Sequence, residues 1–203
     1  MKNLILSFFL AFSSLAFAVN IPAKDLADIS TLKLLIDKRE IATKIKKAAK
    51  DLDRDYADKD LVLLMVLKGS VFLVADLIRF LNIPCDIETV QCASYGARGT
   101  ERGELQIFGL ERTDLHQRDV LIVDDIFDSG HTLNALIQAV KKKEPRSIKS
   151  LVLLKKNIRP VTHLLPDYVL FEIDDAFVVG YGLDYKERYR GLSGIYHLPK
   201  ELQ

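Results

Sequence analysis

Residues 120–133 read VLIVDDIFDSGHTL. The segment begins with four apolar residues, Val120 to Val123, and a short continuous apolar run is typical of a strand that is buried on both faces. An acidic pair and a short polar turn follow, and apolar residues then recur at helical spacing from Leu133 to Val140. The segment therefore predicts a strand, a tight loop and a helix in that order.

The same alternation extends along the chain in both directions. Further strands are predicted at residues 61–67, 86–93, 148–154 and 168–173, and further helices at residues 41–56 and 71–81. Buried strands that alternate with helices indicate an α/β fold with a mainly parallel sheet flanked by helices. In such sheets ligands bind beyond the carboxyl ends of the strands. The segment Tyr95–Gly103 has three glycines in nine residues, which predicts a long mobile loop.

Length and composition restrict the class of protein. The chain has 203 residues, of which 49% are hydrophobic, and its formal net charge is +1. These values predict one globular domain and argue against a disordered chain. The near-zero charge gives no electrostatic reason to expect a nucleic-acid partner. Cys85 and Cys92 form no CxxC pair and have no histidine nearby, so we expect two free thiols rather than a zinc site or a disulfide scaffold.

Residues 1–18 differ in character from the rest of the chain. They read MKNLILSFFLAFSSLAFA, with an early lysine, an apolar stretch and a terminal small-x-small pattern. This is the form of a secretory signal peptide, and the stretch is too short for a stable membrane span. The alternative is a hydrophobic N-terminal helix that packs on the domain. We therefore assign the domain to residues 19–203 and leave residues 1–18 out of the fold.

The polar loop after the predicted strand has the chemistry of a phosphate site. Backbone amides at a helix start, together with the hydroxyls of Ser129 and Thr132, can hold a phosphate. Asp124 and Asp125 can accept hydrogen bonds from sugar hydroxyls or hold Mg²⁺ through water. The combination suits a phosphorylated sugar. The simpler alternative is that the acidic residues belong to a surface turn and that Asp128 is only a helix cap. Neither GxxxxGK[ST] nor GxGxxG is present.

Residues 120–133 resemble the signature of type I phosphoribosyltransferases for 5-phosphoribosyl pyrophosphate (PRPP). Four other segments resemble the hypoxanthine(-guanine) branch of that family: Leu67-Lys-Gly-Ser70, Ser94-Tyr95, residues 166–173 (PDYVLFEI) and residues 177–185 (FVVGYGLDY). The resemblance covers roughly residues 30 to 198. It implies the type I phosphoribosyltransferase fold, with a small hood that the C-terminal segment forms over the base.

The resemblance also implies a reaction. Hypoxanthine, and guanine as a second substrate, would react with PRPP and Mg²⁺ to give IMP or GMP and pyrophosphate. Family members are usually homodimers or homotetramers, and their need for PRPP favours the cytoplasm. Export to the periplasm is the alternative, because residues 1–18 look like a signal peptide.

The family's functional residues carry over position by position. Asp124 and Asp125 would hold the ribose hydroxyls, and Asp128, Ser129, Gly130, His131 and Thr132 the 5′-phosphate. Asp128 would also accept the purine proton. Lys68, Gly69 and Arg190 would bind pyrophosphate, Asp184 would bind Mg²⁺, and Ser94 and Tyr95 would belong to a flexible loop. The peptide before Lys68 is often cis in the family.

Three residues would bind the purine. Lys155 would donate to the 6-oxo group, Phe177 would stack on the ring and Val178 would offer backbone contacts. Lys156 is adjacent to Lys155, so either lysine could face the base, and we prefer Lys155. Phe177 could instead be a core residue, and Asp184 a turn residue.

Two other functions remain open at this stage. A PRPP- or nucleotide-sensing regulatory module could use the same fold without transferase activity. A transferase for xanthine or a pyrimidine would differ only in its base.

Overall fold

The computed structural model describes residues 31–95 and 104–202. The predicted leader, residues 1–18, and residues 96–103 of the predicted loop lie outside this range. The elements are β1 (Lys33–Ile36), α1 (Lys38–Asp55), β2 (Leu61–Leu67), α2 (Val71–Leu77), β3 (Cys85–Tyr95), β4 (Glu104–Phe108), β5 (Asp119–Phe127), α3 (His131–Lys141), β6 (Ser147–Lys156), β7 (Tyr168–Ile173), β8 (Val178–Val179) and β9 (Ile195–His197).

Six strands form the main sheet, in the order β4-β3-β2-β5-β6-β7. All neighbours are parallel except β3 and β4, which form an antiparallel edge. From β2 the chain proceeds to β3 on one side, whereas from β5 it proceeds to β6 and β7 on the other. The order therefore reverses between β2 and β5, and an open α/β sheet has its ligand crevice at such a point.

Side chains of β5 and its neighbours pack on both faces of this sheet. Leu121 and Val123 belong to the hydrophobic cluster under α1 and α2, whereas Val120 and Ile122 belong to the cluster under α3. Successive side chains of a strand point to opposite faces, so a strand covered on both sides needs a continuous apolar run. This arrangement confirms the predicted α/β fold.

Helix α1 has the buried face that the sequence predicts. Ile41, Ile45, Ala48, Ala49 and Leu52 are all buried, as is Tyr56 at its C-terminal end. Asp37 caps its first turn by accepting from the amides of Arg39 and Glu40, while the Glu40 carboxylate accepts from the Asp37 amide. These reciprocal bonds satisfy backbone donors that a helix start leaves unpaired.

The structure corrects one prediction and extends another. The prediction that Ser94 and Tyr95 lie in a flexible loop is wrong for their backbones, which end strand β3 and pair with Leu105 and Glu104. The strand continues because β4 provides an antiparallel partner. The hood is a three-stranded sheet in the order β1-β9-β8, so residues 33–36 from the start of the domain join the C-terminal segment in it.

Two further properties concern the surface and the thiols. None of the helices in residues 31–95 and 104–202 is both long and apolar enough to cross a membrane.

Cys85 and Cys92 are free, as expected. Burial, and secondarily the charge of Asp124, raises the pKa of Cys92 to about 12, so this thiol stays protonated and unreactive near neutral pH.

Candidate active site

Five predicted site residues gather at the carboxyl ends of β2 and β5, the point where the strand order reverses. Strand β2 ends at Leu67, and Lys68 and Gly69 follow it directly. Asp124 and Asp125 lie near the end of β5, and Asp128 follows that strand. The parallel pairing of β2 with β5 brings the two groups together. The Leu67–Lys68 peptide bond is cis, as the resemblance implies.

The polar loop after β5 encloses a cavity of about 230 Å³, which we call the loop cavity. It is lined by Asp124, residues 126–133 and Val152. Gly130 precedes helix α3 with φ = +86°, and a side chain there would lie 2.7 Å from the Thr162 hydroxyl. The left-handed conformation of Gly130 lets the chain change direction between the loop and α3. The backbone amides of the first turn of α3 therefore adjoin the cavity. The loop cavity can therefore accept an anion of phosphate size.

Asp124 and Asp125 are adjacent carboxylates that lie below the protein surface. Asp124 is only 8% exposed, and its Oδ1 accepts from the Asp125 amide at 2.9 Å. Burial raises the pKa of both carboxyls, and the neighbouring charge of Asp125 raises that of Asp124 further. A buried carboxylate has few water molecules to bond with but can still accept hydrogen bonds. Such a carboxylate is suited to bind the hydroxyl groups of a ligand.

Gly69 is required by close packing around the second of these carboxylates. A Cβ at position 69 would overlap the carboxylate of Asp125, and a Cβ at position 182 would overlap the Gly69 carbonyl. Gly182 also has φ = +102°. Two glycines therefore let the β2 loop, Asp125 and the C-terminal segment approach one another without side chains between them.

A second cavity of about 230 Å³, the strand-end cavity, adjoins the loop cavity and shares Ile126 and Asp128 with it. Its other lining residues are Asp125, Lys156, Ala176, Phe177, Val178, Leu183 and Asp184. Phe177 is 41% exposed, so it still has ring surface open to the cavity, and Tyr185 packs against it edge to face at 5.5 Å between centroids. The cavity thus combines an aromatic ring, a cation and carboxylates.

The prediction that Lys155 faces this cavity is wrong, because Lys156 occupies that position. Lys155 lies opposite Glu172 in the β6–β7 pairing, and the Lys155 Nζ lies 2.9 Å from the Glu172 carboxylate. Lys156 follows at the end of β6 and points to the other side, where its Nζ lies 3.8 Å from Asp128 Oδ2.

Arg190, Lys68 and Asp184 form one ion-pair network. Arg190 Nη2 lies 2.8 Å from Asp184 Oδ1 and 3.2 Å from Glu187 Oε2, and Lys68 Nζ lies 3.1 Å from the same Glu187 oxygen. Hydrogen bonds from Lys68 and Arg190 lower the pKa of Glu187. The structure thus brings both predicted pyrophosphate cations together, with Glu187 between them.

The sequence analysis prefers Lys155 to Lys156. It also does not identify three other residues that contact site residues in the structure: Glu187, Gly182 and Asp175. Asp175 Oδ1 lies 3.0 Å from Lys156 Nζ. Glu187 and Gly182 lie within or just beyond the FVVGYGLDY segment, so their nearness to Asp184 was the available signal. Nothing in the local pattern indicated that Asp175 would reach Lys156.

Comparison with known proteins decides the family. Residues 33–186 match the phosphoribosyl transferase domain family. The hypoxanthine-guanine phosphoribosyltransferase of Bacillus subtilis is 39% identical over 163 residues, which cover 80% of this chain and 91% of that protein. The chain belongs to the hypoxanthine-guanine phosphoribosyltransferase family. It is therefore a transferase, and family membership favours the enzyme over the regulatory module.

Solved structures support the same membership for this phosphoribosyltransferase. A hypoxanthine phosphoribosyl transferase from Trypanosoma cruzi has a TM-score of 0.78 and 39% identity, and the match covers 84% of this chain and 92% of that chain. A hypoxanthine phosphoribosyltransferase from Staphylococcus aureus has a TM-score of 0.77 and 34% identity, with 88% and 95% covered.

Proposed function

We propose that this phosphoribosyltransferase acts in purine salvage and transfers the 5-phosphoribosyl group of PRPP to hypoxanthine or guanine. One observation carries the proposal: the loop cavity and the strand-end cavity adjoin and share Asp128. A sugar phosphate in the first cavity and a purine in the second would meet beside this carboxylate. The new bond would join C1′ of the ribose to N9 of the purine, and the bond from C1′ to the pyrophosphate oxygen would break.

The sugar and its phosphate would be held by the end of β5 and the start of α3. Residues 128–132 would bind the 5′-phosphate through backbone amides and the hydroxyls of Ser129 and Thr132. Asp124 and Asp125 would accept hydrogen bonds from the ribose hydroxyls. Their burial supports this role, because a ligand hydroxyl would replace hydrogen bonds that water supplies poorly there.

The purine would be recognised by Lys156, Phe177 and Asp128. The Lys156 ammonium would donate to the 6-oxo group, and an adenine amino group would instead face a donor at that position. Phe177 would stack on the ring, and Val178 would line its edge. Asp128 would accept the purine proton as the bond to N9 forms, a contribution that is typically about 10²–10⁴-fold in rate.

The residues present also fit Mg²⁺. Asp125 and Asp184 both line the strand-end cavity, whereas the described residues contain no group of three or more His, Cys, Asp and Glu placed to hold a metal. Mg²⁺ is typically bound by one or two carboxylates together with water and substrate phosphate oxygens, so two carboxylates suffice. When bound there, Mg²⁺ would offset negative charge on the pyrophosphate.

Lys68, Gly69 and Arg190 would bind the pyrophosphate. Lys68 and Arg190 are paired with Glu187 and Asp184, so phosphate oxygens would exchange with carboxylate oxygens that already lie within 3.2 Å of these cations. We expect Asp184→Ala to raise the Mg²⁺ concentration needed for half-maximal activity. A Mg²⁺ titration that overlaps the wild-type curve would contradict the role of Asp184.

We also propose that the enzyme is a homodimer or homotetramer in the cytoplasm. The C-terminal region of the T. cruzi relative has been studied for its role in oligomeric state, and PRPP is a cytosolic metabolite. Light scattering that gives the mass of one chain would contradict the oligomer. N-terminal sequencing from the native host that begins at Val19 would contradict the cytoplasmic location.

The direct test of the function is a spectrophotometric assay with PRPP and Mg²⁺ and with hypoxanthine, guanine, xanthine and adenine supplied one at a time. We expect IMP or GMP and no AMP. Silence with all four bases, while calorimetry still detects PRPP binding, would instead support a sensing module.

A further inference from the structure

The Lys156 ammonium lies between two carboxylates that belong to different parts of the chain. Asp175 Oδ1 is 3.0 Å from Nζ and Asp128 Oδ2 is 3.8 Å from it. The Lys156 side chain is only 15% exposed, whereas those of Asp128 and Asp175 are 49% and 66% exposed. A largely buried cation therefore has two acidic neighbours, and the nearer one is not the residue expected to take part in the reaction.

Strand pairing fixes the nearer contact. Lys156 lies opposite Ile173 at the ends of β6 and β7, and the Asn157 amide donates to the Ile173 carbonyl at 2.8 Å. Asp175 is two residues beyond Ile173, so the register of the two strands brings its carboxylate beside the lysine. The contact is therefore set by the backbone pairing of the two strands and needs no ligand to form.

The two carboxylates line different cavities next to the ammonium. Asp128 lines the strand-end cavity. Asp175 lines a separate outer cavity of about 590 Å³, which also includes His197 and Lys200. Lys156 and Phe177 belong to the linings of both. Asp175 therefore contacts the ammonium from the lining of the outer cavity, whereas the purine would bind in the strand-end cavity.

We propose that Asp175 is a positioning residue that acts through Lys156 and sets the direction in which the ammonium meets the purine. This inference rests on the proposed function. An ammonium has three donors, so one can remain on Asp175 while another meets the 6-oxo group. Without Asp175, the remaining carboxylate within 4 Å of Nζ among the described residues is Asp128. The ammonium would then pair with Asp128 alone, and no second carboxylate would set its direction toward the 6-oxo group.

The matched variants are Asp175→Asn and Asp174→Asn. Both residues are exposed and adjacent, but only Asp175 has an ion pair among the described residues. We expect Asp175→Asn to raise KM for hypoxanthine about fivefold and to lower the preference for hypoxanthine over adenine. KM for PRPP and the melting temperature should match those of Asp174→Asn. Asp175→Glu should restore most of the hypoxanthine affinity, because it returns a carboxylate to the same position.

A double-mutant cycle separates positioning from general structural support. In a Lys156→Met background, Asp175→Asn should leave KM for hypoxanthine unchanged, because the group through which it acts is gone. Equal KM values for Asp175→Asn and Asp174→Asn would overturn the inference, as would the same increase in the Lys156→Met background. Wild-type protein that forms neither IMP nor GMP would overturn the proposed function and this inference with it. An active wild type whose KM for hypoxanthine is unchanged by Asp175→Asn would overturn this inference alone.

Discussion

Exchange of Lys156 for methionine removes the ammonium but keeps an unbranched side chain of similar length. The Lys156 side chain is only 15% exposed, so water cannot readily replace the lost donor at the 6-oxo group. A hydrogen bond to a charged group contributes about 1.5–3 kcal/mol, which corresponds to a loss of about 10- to 150-fold in kcat/KM for hypoxanthine. Adenine presents no oxo group, so its low kcat/KM should change much less.

Lys155→Met is the matched control. Lys155 is 24% exposed and its partner Glu172 is 57% exposed, and such an exposed ion pair is worth about 0–1 kcal/mol of stability. We expect a small change in the midpoint of denaturation and no change in kcat/KM for hypoxanthine.

The assay is steady-state IMP formation at saturating PRPP, with hypoxanthine varied and each variant compared with wild type. Both variants should also be checked for an intact fold by thermal melting. A larger loss of kcat/KM in Lys155→Met than in Lys156→Met would refute the assignment. So would a Lys156→Met enzyme with the discrimination of the wild type.

Three other substitutions test the rest of the site. Gly69→Ala should lower the free energy of unfolding by about 1–3 kcal/mol and raise KM for PRPP, because its Cβ would overlap Asp125. Gly191→Ala is the control: its Cβ would meet nothing within 4 Å, so neither quantity should change. Asp124→Asn should stabilise the free protein at pH 8. Burial raises the pKa of Asp124 in the folded state, so the folded protein loses stability as pH rises above the ordinary pKa of the carboxyl, and asparagine has no such loss. That gain should vanish as pH falls toward about 4, and a less stable variant at pH 8 would contradict it. Asp128→Asn should keep PRPP binding in calorimetry but lower kcat about 10²–10⁴-fold, and unchanged turnover would remove Asp128 as the proton acceptor.

Much of the main sheet is predictable because its strands are covered on both faces. Strand β2 and the centres of β5 and β6, residues 120–123 and 151–154, are wholly apolar, and α1 has a clear helical stripe from Ile41 to Tyr56. The short strands β1, β8 and β9 carry no such signal. Their pairing joins residues 33–36 to residues 195–197, more than 150 positions away. Long-range pairing of this kind depends on tertiary packing rather than local pattern.

The same burial that makes β6 easy to predict hides the direction of its last two residues. Leu151 to Leu154 are all buried, so no polar and apolar alternation indicates which of Lys155 and Lys156 faces the ligand side. The register with β7, which sets Lys155 against Glu172, decides between them. The phosphate loop was easier, because its chemistry lies within residues 124–132 of one continuous segment.

A crystal structure of the protein with IMP bound would locate the phosphate and the purine in a single experiment. We expect the 5′-phosphate to lie in the loop cavity against the amides of residues 128–132. We also expect the purine to lie on Phe177 with its 6-oxo oxygen within hydrogen-bond distance of Lys156 Nζ. A nucleotide bound outside the two adjoining cavities, or a purine whose oxo group faces away from Lys156, would contradict the account.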